Sequence, residues 1–211
     1  ALDLPKAEGE LGSVLGHVRP TSRAALRGWI QGMLNIVVPD RAICIDHHCP
    51  MDYLEHAFFE YPGDALIWAN RGGGKTFYGA VATLLDMLFK PGVQIRILGG
   101  SRDQSSRMYE YLRWMLDRPG LRERIEGTMT QQAVTLDNGS RVQVLAQSQT
   151  SVRGHRVQKL RCDEVELFDR EVWQAAQFVT RSKQCGEIAV RGTVECFSTM
   201  HRPYGLMHEL V

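Results

Sequence analysis

Hydrophobic and polar positions follow two periods along this chain, and their order predicts alternating strands and helices. A short apolar strand at residues 65–69 leads, after a glycine-rich turn, to an apolar segment at residues 77–89 that is long enough for a helix. Residues 93–98 then alternate as a strand does. This βαβα order predicts an α/β fold with a mostly parallel sheet and helices on both faces. The second helix is predicted to bury Met108, Tyr111, Leu112, Met115 and Leu116.

Turn residues and alternation predict the remaining elements. The dipeptide Asn138-Gly139 lies between two alternating segments and is a strong hairpin signal. Lys159 and Arg161 interrupt the apolar pattern of a further strand, which makes that strand unusually polar. An amphipathic helix is expected at residues 22–36, and Pro50 is typical of a helix start. The strands predicted from these signals lie at residues 134–136, 141–145, 157–162 and 193–197.

The glycine-rich turn after residues 65–69 is a candidate phosphate-binding loop. Glycines let backbone N–H groups surround an anion, and the following helix points its positive end to the same place. Lys75 can reach the β- and γ-phosphates, and the Thr76 hydroxyl can ligate Mg²⁺. The pattern is G-x-x-x-x-G-K-[ST], here with Ala69 at its first position. We therefore predict that a nucleotide binds to Asn70, Arg71, Gly72, Gly73, Gly74, Lys75, Thr76 and Phe77.

A phosphate-binding loop needs an acidic partner at the end of a neighbouring strand. Asp163 follows the predicted strand at residues 157–162 and is the candidate Mg²⁺ ligand beside Thr76. The adjacent Glu164 is the candidate base that polarises the attacking water. Glu166 and Asp169 are rivals beyond the expected strand end, and we interpret them as solvated or capping residues.

Phosphoryl transfer also requires cations that neutralise charge on the γ-phosphate. Arg71 lies inside the loop and is a candidate to act in cis, together with Lys75. Arg153 lies on the polar segment 147–155 and is a candidate to act on the nucleotide of a neighbouring subunit. For each arginine the alternative is an ordinary surface residue. A further arginine-rich region, residues 102–124, is interleaved with acids and is interpreted as a solvated helix face.

Composition restricts the class of protein without indicating a partner. The chain has 211 residues, a net charge of +1 and 44% hydrophobic residues, as soluble globular proteins have. No apolar run is long enough to span a bilayer and no signal peptide is present, so we expect neither secretion nor membrane association. The five scattered cysteines are expected to be free thiols. A zinc site at Cys44, His47, His48 and Cys49 is disfavoured, because no second ligand pair accompanies it.

Five motifs occur in one order along the chain: ANRGGGKT, LDNGSRVQVLAQS, SVRGHRV, RCDEVE and FSTMHRPYG. As a set they resemble the ATPase domain of the large terminase subunit of tailed bacteriophages, the motor that packages DNA into procapsids. The resemblance covers residues 45–205. It implies a P-loop NTPase core of the ASCE (RecA-like) type at residues 45–211, preceded by an N-terminal arm or lid at residues 1–44. The cofactors that it implies are ATP and Mg²⁺.

The resemblance also implies roles for single residues. Arg71 matches the arginine of the family's Walker A loop, and Arg153 falls where some members place an arginine that acts in trans. Asp163 and Glu164 match the Walker B acid and the catalytic glutamate. The family's adenine-contacting glutamine has no clear counterpart, and His47, Asp52 and Tyr53 are candidates for its place. The family's coupling motif is matched by Ser198, Thr199 and Met200.

Partners follow from the same resemblance. It implies translocation of double-stranded DNA by a homo-oligomeric ring on the portal protein, with the small terminase subunit as a further partner. The host cytoplasm is the implied location, and the isolated domain is expected to be a monomer. The family's C-terminal nuclease lies beyond Val211, so we expect no nuclease activity from this chain.

Two other functions remain open from the sequence. The segments DEVE and FSTM also resemble the second and third motifs of a DExx-type helicase, which would need a second RecA-like domain. A nucleotide switch that binds without hydrolysis is the other alternative. Glu164 beside Asp163 argues against a switch, because a protein that does not hydrolyse nucleotide has less need of a base there.

Overall fold

A mostly parallel sheet forms the centre of the structure. The computed structural model describes residues 18–100, 106–145, 156–199 and 203–211, together with the backbone of residues 102–105. Within these residues a seven-stranded sheet has the order β1-β9-β6-β2-β5-β4-β3, in which the first five strands are parallel and the last two are antiparallel. The strands are β1 Ala65–Trp68, β2 Gln94–Gly99, β3 Ile125–Glu126, β4 Ala133–Leu136, β5 Arg141–Leu145, β6 Lys159–Asp163, β7 Lys183–Cys185, β8 Ile188–Val190 and β9 Thr193–Ser198.

Helices cover both faces of this sheet, which confirms the predicted fold class. The first four helices pack with one face in the larger apolar core, and the last two belong to a second core on the other face. In the described chain no helix is long and apolar enough to cross a bilayer. The helices are α1 Arg23–Leu34, α2 Pro50–Phe58, α3 Lys75–Phe89, α4 Arg102–Leu116, α5 Arg170–Ala176 and α6 Leu206–Leu210.

Local sequence signals set the starts of the first two helices. The Ser22 hydroxyl accepts the backbone N–H of Ala25 at 3.2 Å and caps α1. Pro50 is the first residue of α2, and the Asp52 carboxylate accepts the N–H of Cys49 at 2.8 Å. Both helices therefore begin where the sequence predicted. The apolar face of α1 is buried in the core, where Leu26, Trp29, Ile30 and Leu34 lie.

One member of the predicted buried face of α4 is wrong. Met108 and Leu112 are fully buried as expected, but Tyr111 is 43% exposed, and the ring of Tyr109 is buried instead. The Tyr109 hydroxyl donates to the carbonyl of Thr130 at 3.0 Å, which gives this ring a place in the core. Tyr111 points to the opposite side of the helix axis, because successive helical residues are rotated by about 100°.

Strand β6 is central in the sheet despite its polar sequence. Lys159 and Arg161 are both buried, and each meets carboxylates contributed by other elements. Arg161 contacts Asp86 of α3 at 2.6 Å and Glu195 of β9 at 3.0 Å, while Lys159 contacts Glu60 at 3.0 Å. Buried charges are tolerated when they are paired in this way. The apolar pattern of β6 is weak for that reason.

The hairpin at Asn138-Gly139 forms as predicted, with β4 and β5 antiparallel and Gly139 at φ +78°. A second hairpin of β7 and β8 was not predicted. Its turn contains Gly186 at φ +59°, but its strands are three residues each and include exposed polar positions. Strands this short have too few residues to show an alternating pattern.

Candidate nucleotide-binding site

The glycine-rich loop joins β1 to α3 at the carboxyl edge of the sheet. Gly72 and Gly74 have φ values of +80° and +76°, which residues with a side chain rarely adopt. A Cβ at Gly74 would also lie 2.9 Å from the ring of Tyr78. The sequence therefore uses glycine where the backbone turns into the first residue of α3, Lys75.

Two residues at the start of α3 face the loop and β6. Lys75 is buried, and its ammonium group donates to the carbonyl of Asn70 at 3.4 Å. The Thr76 hydroxyl donates to Asp163 Oδ1 at 3.1 Å. The structure therefore brings together Lys75, Thr76 and Asp163, which the sequence selected from segments about 90 residues apart.

Asp163 is a buried acid at the end of β6, with 2% of its surface exposed. Burial raises its pKa to about 6, although the hydrogen bond from Thr76 and the charge of Lys75 act in the opposite direction. The parallel sheet explains why it meets the loop. Strands β1, β9 and β6 are neighbours, and Trp68 pairs with Ser198 while Asp163 pairs with Phe197.

Glu164 follows Asp163 in a left-handed conformation, at φ +53° and ψ +52°. This conformation is uncommon for a residue with a side chain, and such residues concentrate at functional sites. The Ser198 hydroxyl lies 3.5 Å from Glu164 Oε2 and accepts the backbone N–H of Glu166 at 3.3 Å. Ser198, predicted as part of a coupling motif, therefore contacts the segment of the candidate base. Thr199 is buried beside it.

A cleft of about 750 Å³ lies between the glycine-rich loop, α4 and the turn after Glu164. Arg107 and Tyr111 of α4 line one wall, and the ring of Tyr111 packs edge-on against Phe77 at 5.3 Å. The other described residues that line the cleft are Arg71, Gly72, Gly74, Lys75, Thr76, Phe77, Asp163, Glu164 and Leu167.

Arg107 and Tyr111 were not predicted as site residues. We interpreted Arg107 as part of a solvated helix face, and the structure corrects this by placing it at the cleft. The spacing of four residues puts both side chains on the same face of α4, and α4 starts at the sheet edge where the P-loop lies. That combination was the available signal.

The remaining sequence candidates divide into three groups. The interpretation of Glu166 as solvated is wrong, since it is buried, whereas Asp169 does precede α5 as its N-cap residue. Asp52 caps α2, and Tyr53 donates to Glu195 at 2.6 Å, so both are engaged away from the cleft lining described above. Arg153 and Met200 lie outside the described residues, and their roles stay predictions.

A comparison with protein families then identifies the chain. The description of the N-terminal region of the terminase large subunit, T4likevirus type, matches residues 66–191. The chain belongs to this terminase family. The resemblance inferred from the motif order is thereby confirmed, and the Walker A loop and both Walker B acids lie within the matched region.

Solved terminases share the fold of this terminase domain. The HK97 bacteriophage large terminase has 16% identity over 91% of this chain and 41% of its own, with a TM-score of 0.64. The Thermus phage P74-26 large terminase ATPase domain has 14% identity over 85% and 70%, with a TM-score of 0.56. The large terminase of another thermophilic bacteriophage, in complex with ADP, has 17% identity over 69% and 37%, with a TM-score of 0.50. Our chain thus spans less than half of the two longer relatives. A search of curated proteins found no match.

The donor atoms of this terminase site suit Mg²⁺. Thr76 supplies a hydroxyl oxygen and Asp163 a carboxylate oxygen, and Mg²⁺ in proteins is commonly held by one or two such groups together with phosphates and water. Among the described residues no group of three or more His, Cys, Asp or Glu side chains is placed to hold a metal. Cys49 of the disfavoured zinc cluster instead accepts a hydrogen bond from Arg23 at 3.2 Å.

Proposed function

We propose that this terminase domain hydrolyses ATP and that hydrolysis drives double-stranded DNA into a procapsid. The observation that carries the proposal is the meeting of Lys75, Thr76, Asp163 and Glu164 in one cleft. The cleft also has basic residues at two of its walls, which suits a triphosphate. A structural relative was solved in complex with ADP, which supports a nucleotide as the ligand.

The residues of the cleft divide the reaction between them. The loop N–H groups, Lys75 and Arg71 hold the phosphates and offset their charge. Thr76 and Asp163 would hold Mg²⁺, which supplies further charge neutralisation when bound. Glu164 orients a water and takes its proton as the water oxygen bonds to the γ-phosphorus. The bond between the γ-phosphorus and the bridging oxygen breaks, and ADP leaves.

The assembly that we propose is a homo-oligomeric ring of subunits on the portal protein in the host cytoplasm, with the small terminase subunit as a partner. In it residues 45–211 act as the ATPase core and residues 1–44 as an arm or lid. Arg153 of one subunit acts on the nucleotide of the next. The domain alone is a monomer, and its DNA contacts are to phosphates, so binding is expected to be salt-sensitive and independent of sequence.

The deciding experiment is Mg²⁺-dependent ATP hydrolysis by the wild type beside Lys75→Ala and Glu164→Gln. We expect turnover in the wild type and none in either variant, with ATP binding retained in Glu164→Gln, because this substitution removes the base and leaves the phosphate contacts. Arg122→Ala is a matched control, since Arg122 is exposed on the surface and does not line the cleft.

Other results would favour other functions. A wild type that binds ATP but shows no turnover, even with DNA present, would support the nucleotide switch. Separation of DNA strands coupled to hydrolysis would support the helicase. Full activity in Glu164→Gln would contradict the role of Glu164 as the base.

A further inference from the structure

Glu166 is a buried acid that the proposed reaction does not use. It lies two residues after Glu164, in the short 3-10 turn Val165–Leu167, and has 6% of its surface exposed. Its Oε2 atom accepts the backbone N–H of Met207, in the first turn of α6, at 2.7 Å. Because a carboxylate is costly to bury, this position indicates that the contact with α6 has a role beyond solubility.

The fit between Glu166 and α6 leaves no room for a side chain at Gly205. A Cβ built on Gly205 would lie 1.8 Å from Glu166 Oε1. The φ of Gly205 is −83°, so the need for glycine at this position is one of space and not of backbone conformation. Val165, Leu206 and Met207 are buried in the same apolar core, so α6 is packed against the turn as well as bonded to it.

The same turn is bonded to the candidate base and to β9. The backbone N–H of Glu166 donates to Ser198 Oγ at 3.3 Å, and Ser198 Oγ lies 3.5 Å from Glu164 Oε2. A continuous set of contacts therefore runs from the cleft through Glu164 and Ser198 to Glu166 and on to α6. The strained conformation of Glu164 places the start of this set where an altered contact in the cleft changes the turn directly.

We infer that Glu166 is a positioning residue that links α6 to the nucleotide state of the cleft. When Glu164 gains or loses a γ-phosphate and its water, the turn Val165–Leu167 shifts, and the Glu166 carboxylate carries α6 with it. The inference rests on the proposed function, because it takes the nucleotide as the ligand that moves Glu164. Coupling of this kind requires two arrangements of the turn whose populations the nucleotide changes.

Hydrogen exchange of the α6 amides tests the inference. The 211-residue chain is compared without nucleotide, with ADP and with ATPγS, and nucleotide binding is measured separately with a fluorescent analogue. In the wild type we expect exchange at residues 207–210 to differ by about fivefold or more between ADP and ATPγS, the lower end of typical couplings between sites. Protection of the P-loop amides reports binding in the same experiment.

Variants separate a specific link from general packing. In Glu166→Ala and in Gly205→Ala the difference at α6 should disappear while P-loop protection persists. Glu166→Gln should restore it, since the amide oxygen can accept the N–H of Met207. Arg170→Ala is the matched control, because it removes the exposed Arg170–Glu209 ion pair with α6 and leaves the Glu166 contact intact.

Two results would overturn the inference. One is equal exchange of α6 with ADP and ATPγS in a wild type that binds both, a result that needs no variant. The other is an undiminished difference in a folded Glu166→Ala protein. Failure of the wild type to bind any nucleotide would instead contradict the proposed function itself, so the two failures are distinguishable.

Discussion

At the scale of single residues, Asp163 shows how the site trades stability for chemistry. Its carboxylate lies at the buried end of β6 beside the Thr76 hydroxyl, and burial raises its pKa to about 6. A charged group in that position is less favourable than in water until a cation approaches it. The proposed metal ligand should therefore destabilise the nucleotide-free protein at neutral pH.

We predict that Asp163→Asn stabilises the protein without nucleotide and in the presence of EDTA. The raised pKa means that the protonated acid favours folding, so this stability is present below the pKa of an unfolded aspartate and is lost as pH rises through about 6. The advantage of the variant should grow by up to about 3 kcal/mol between about pH 4 and about pH 8. Urea unfolding at several pH values measures it, and an advantage independent of pH would contradict the prediction.

Arg107 supports a second prediction at this scale. If it contacts a phosphate, Arg107→Ala loses a charge-assisted hydrogen bond and should weaken ATP binding about tenfold or more. Arg107→Lys should recover part of the loss. Arg113→Ala on the same helix is the control, because Arg113 does not line the cleft. Equal affinities in Arg107→Ala and the wild type, measured by fluorescent-nucleotide titration, would show that Arg107 is a solvated residue.

At the scale of elements, β6 shows where periodicity stops predicting. Its cationic side chains are buried because acids of other elements meet them: Asp86 from α3, Glu195 from β9 and Glu60 from the segment before β1. The hairpin at Asn138-Gly139 was predictable because its turn and both strands follow one another directly in the chain. Acids that pair with β6 come from positions between 34 and 99 residues away.

Removal of the Arg161 side chain should destabilise the fold strongly. Arg161→Ala leaves Asp86 and Glu195 buried without their cation, and breaking a buried pair in this way typically costs about 3–5 kcal/mol. Arg170→Ala breaks an exposed ion pair with Glu209 and should cost about 1 kcal/mol or less. Urea unfolding of both variants compares them. Similar losses in the two would mean that the buried cluster contributes no more than a surface pair.

At the scale of the whole molecule, the sheet order determines which segments form the site. The P-loop follows β1, Asp163 ends β6 and Ser198 ends β9, and these strands are consecutive neighbours in one parallel sheet. Their carboxyl ends therefore meet at one edge, as in other open α/β sheets. A second subunit that faces this edge would reach the cleft, which is the arrangement that the proposed role of Arg153 requires.

An arginine that acts in trans makes activity depend on association. We predict that ATPase activity rises more than linearly with protein concentration and that Arg153→Ala lowers the rate by about 10³-fold or more at high concentration. Mixing Arg153→Ala with Glu164→Gln should recover activity, because each variant supplies what the other lacks. Strictly linear activity together with a fully active Arg153→Ala would exclude the role in trans.

The sequence by itself determined what depends on residues close together in the chain. The glycine-rich loop, the start of α2 at Pro50 and the turn at Asn138-Gly139 are local, and so is the alternation that predicted a parallel sheet. Only the tertiary structure decided which polar side chains are buried and which helix face meets the cleft. Arg161, Glu166 and Arg107 acquire their surroundings from distant elements, and a local pattern carries no record of partners that folding alone brings together.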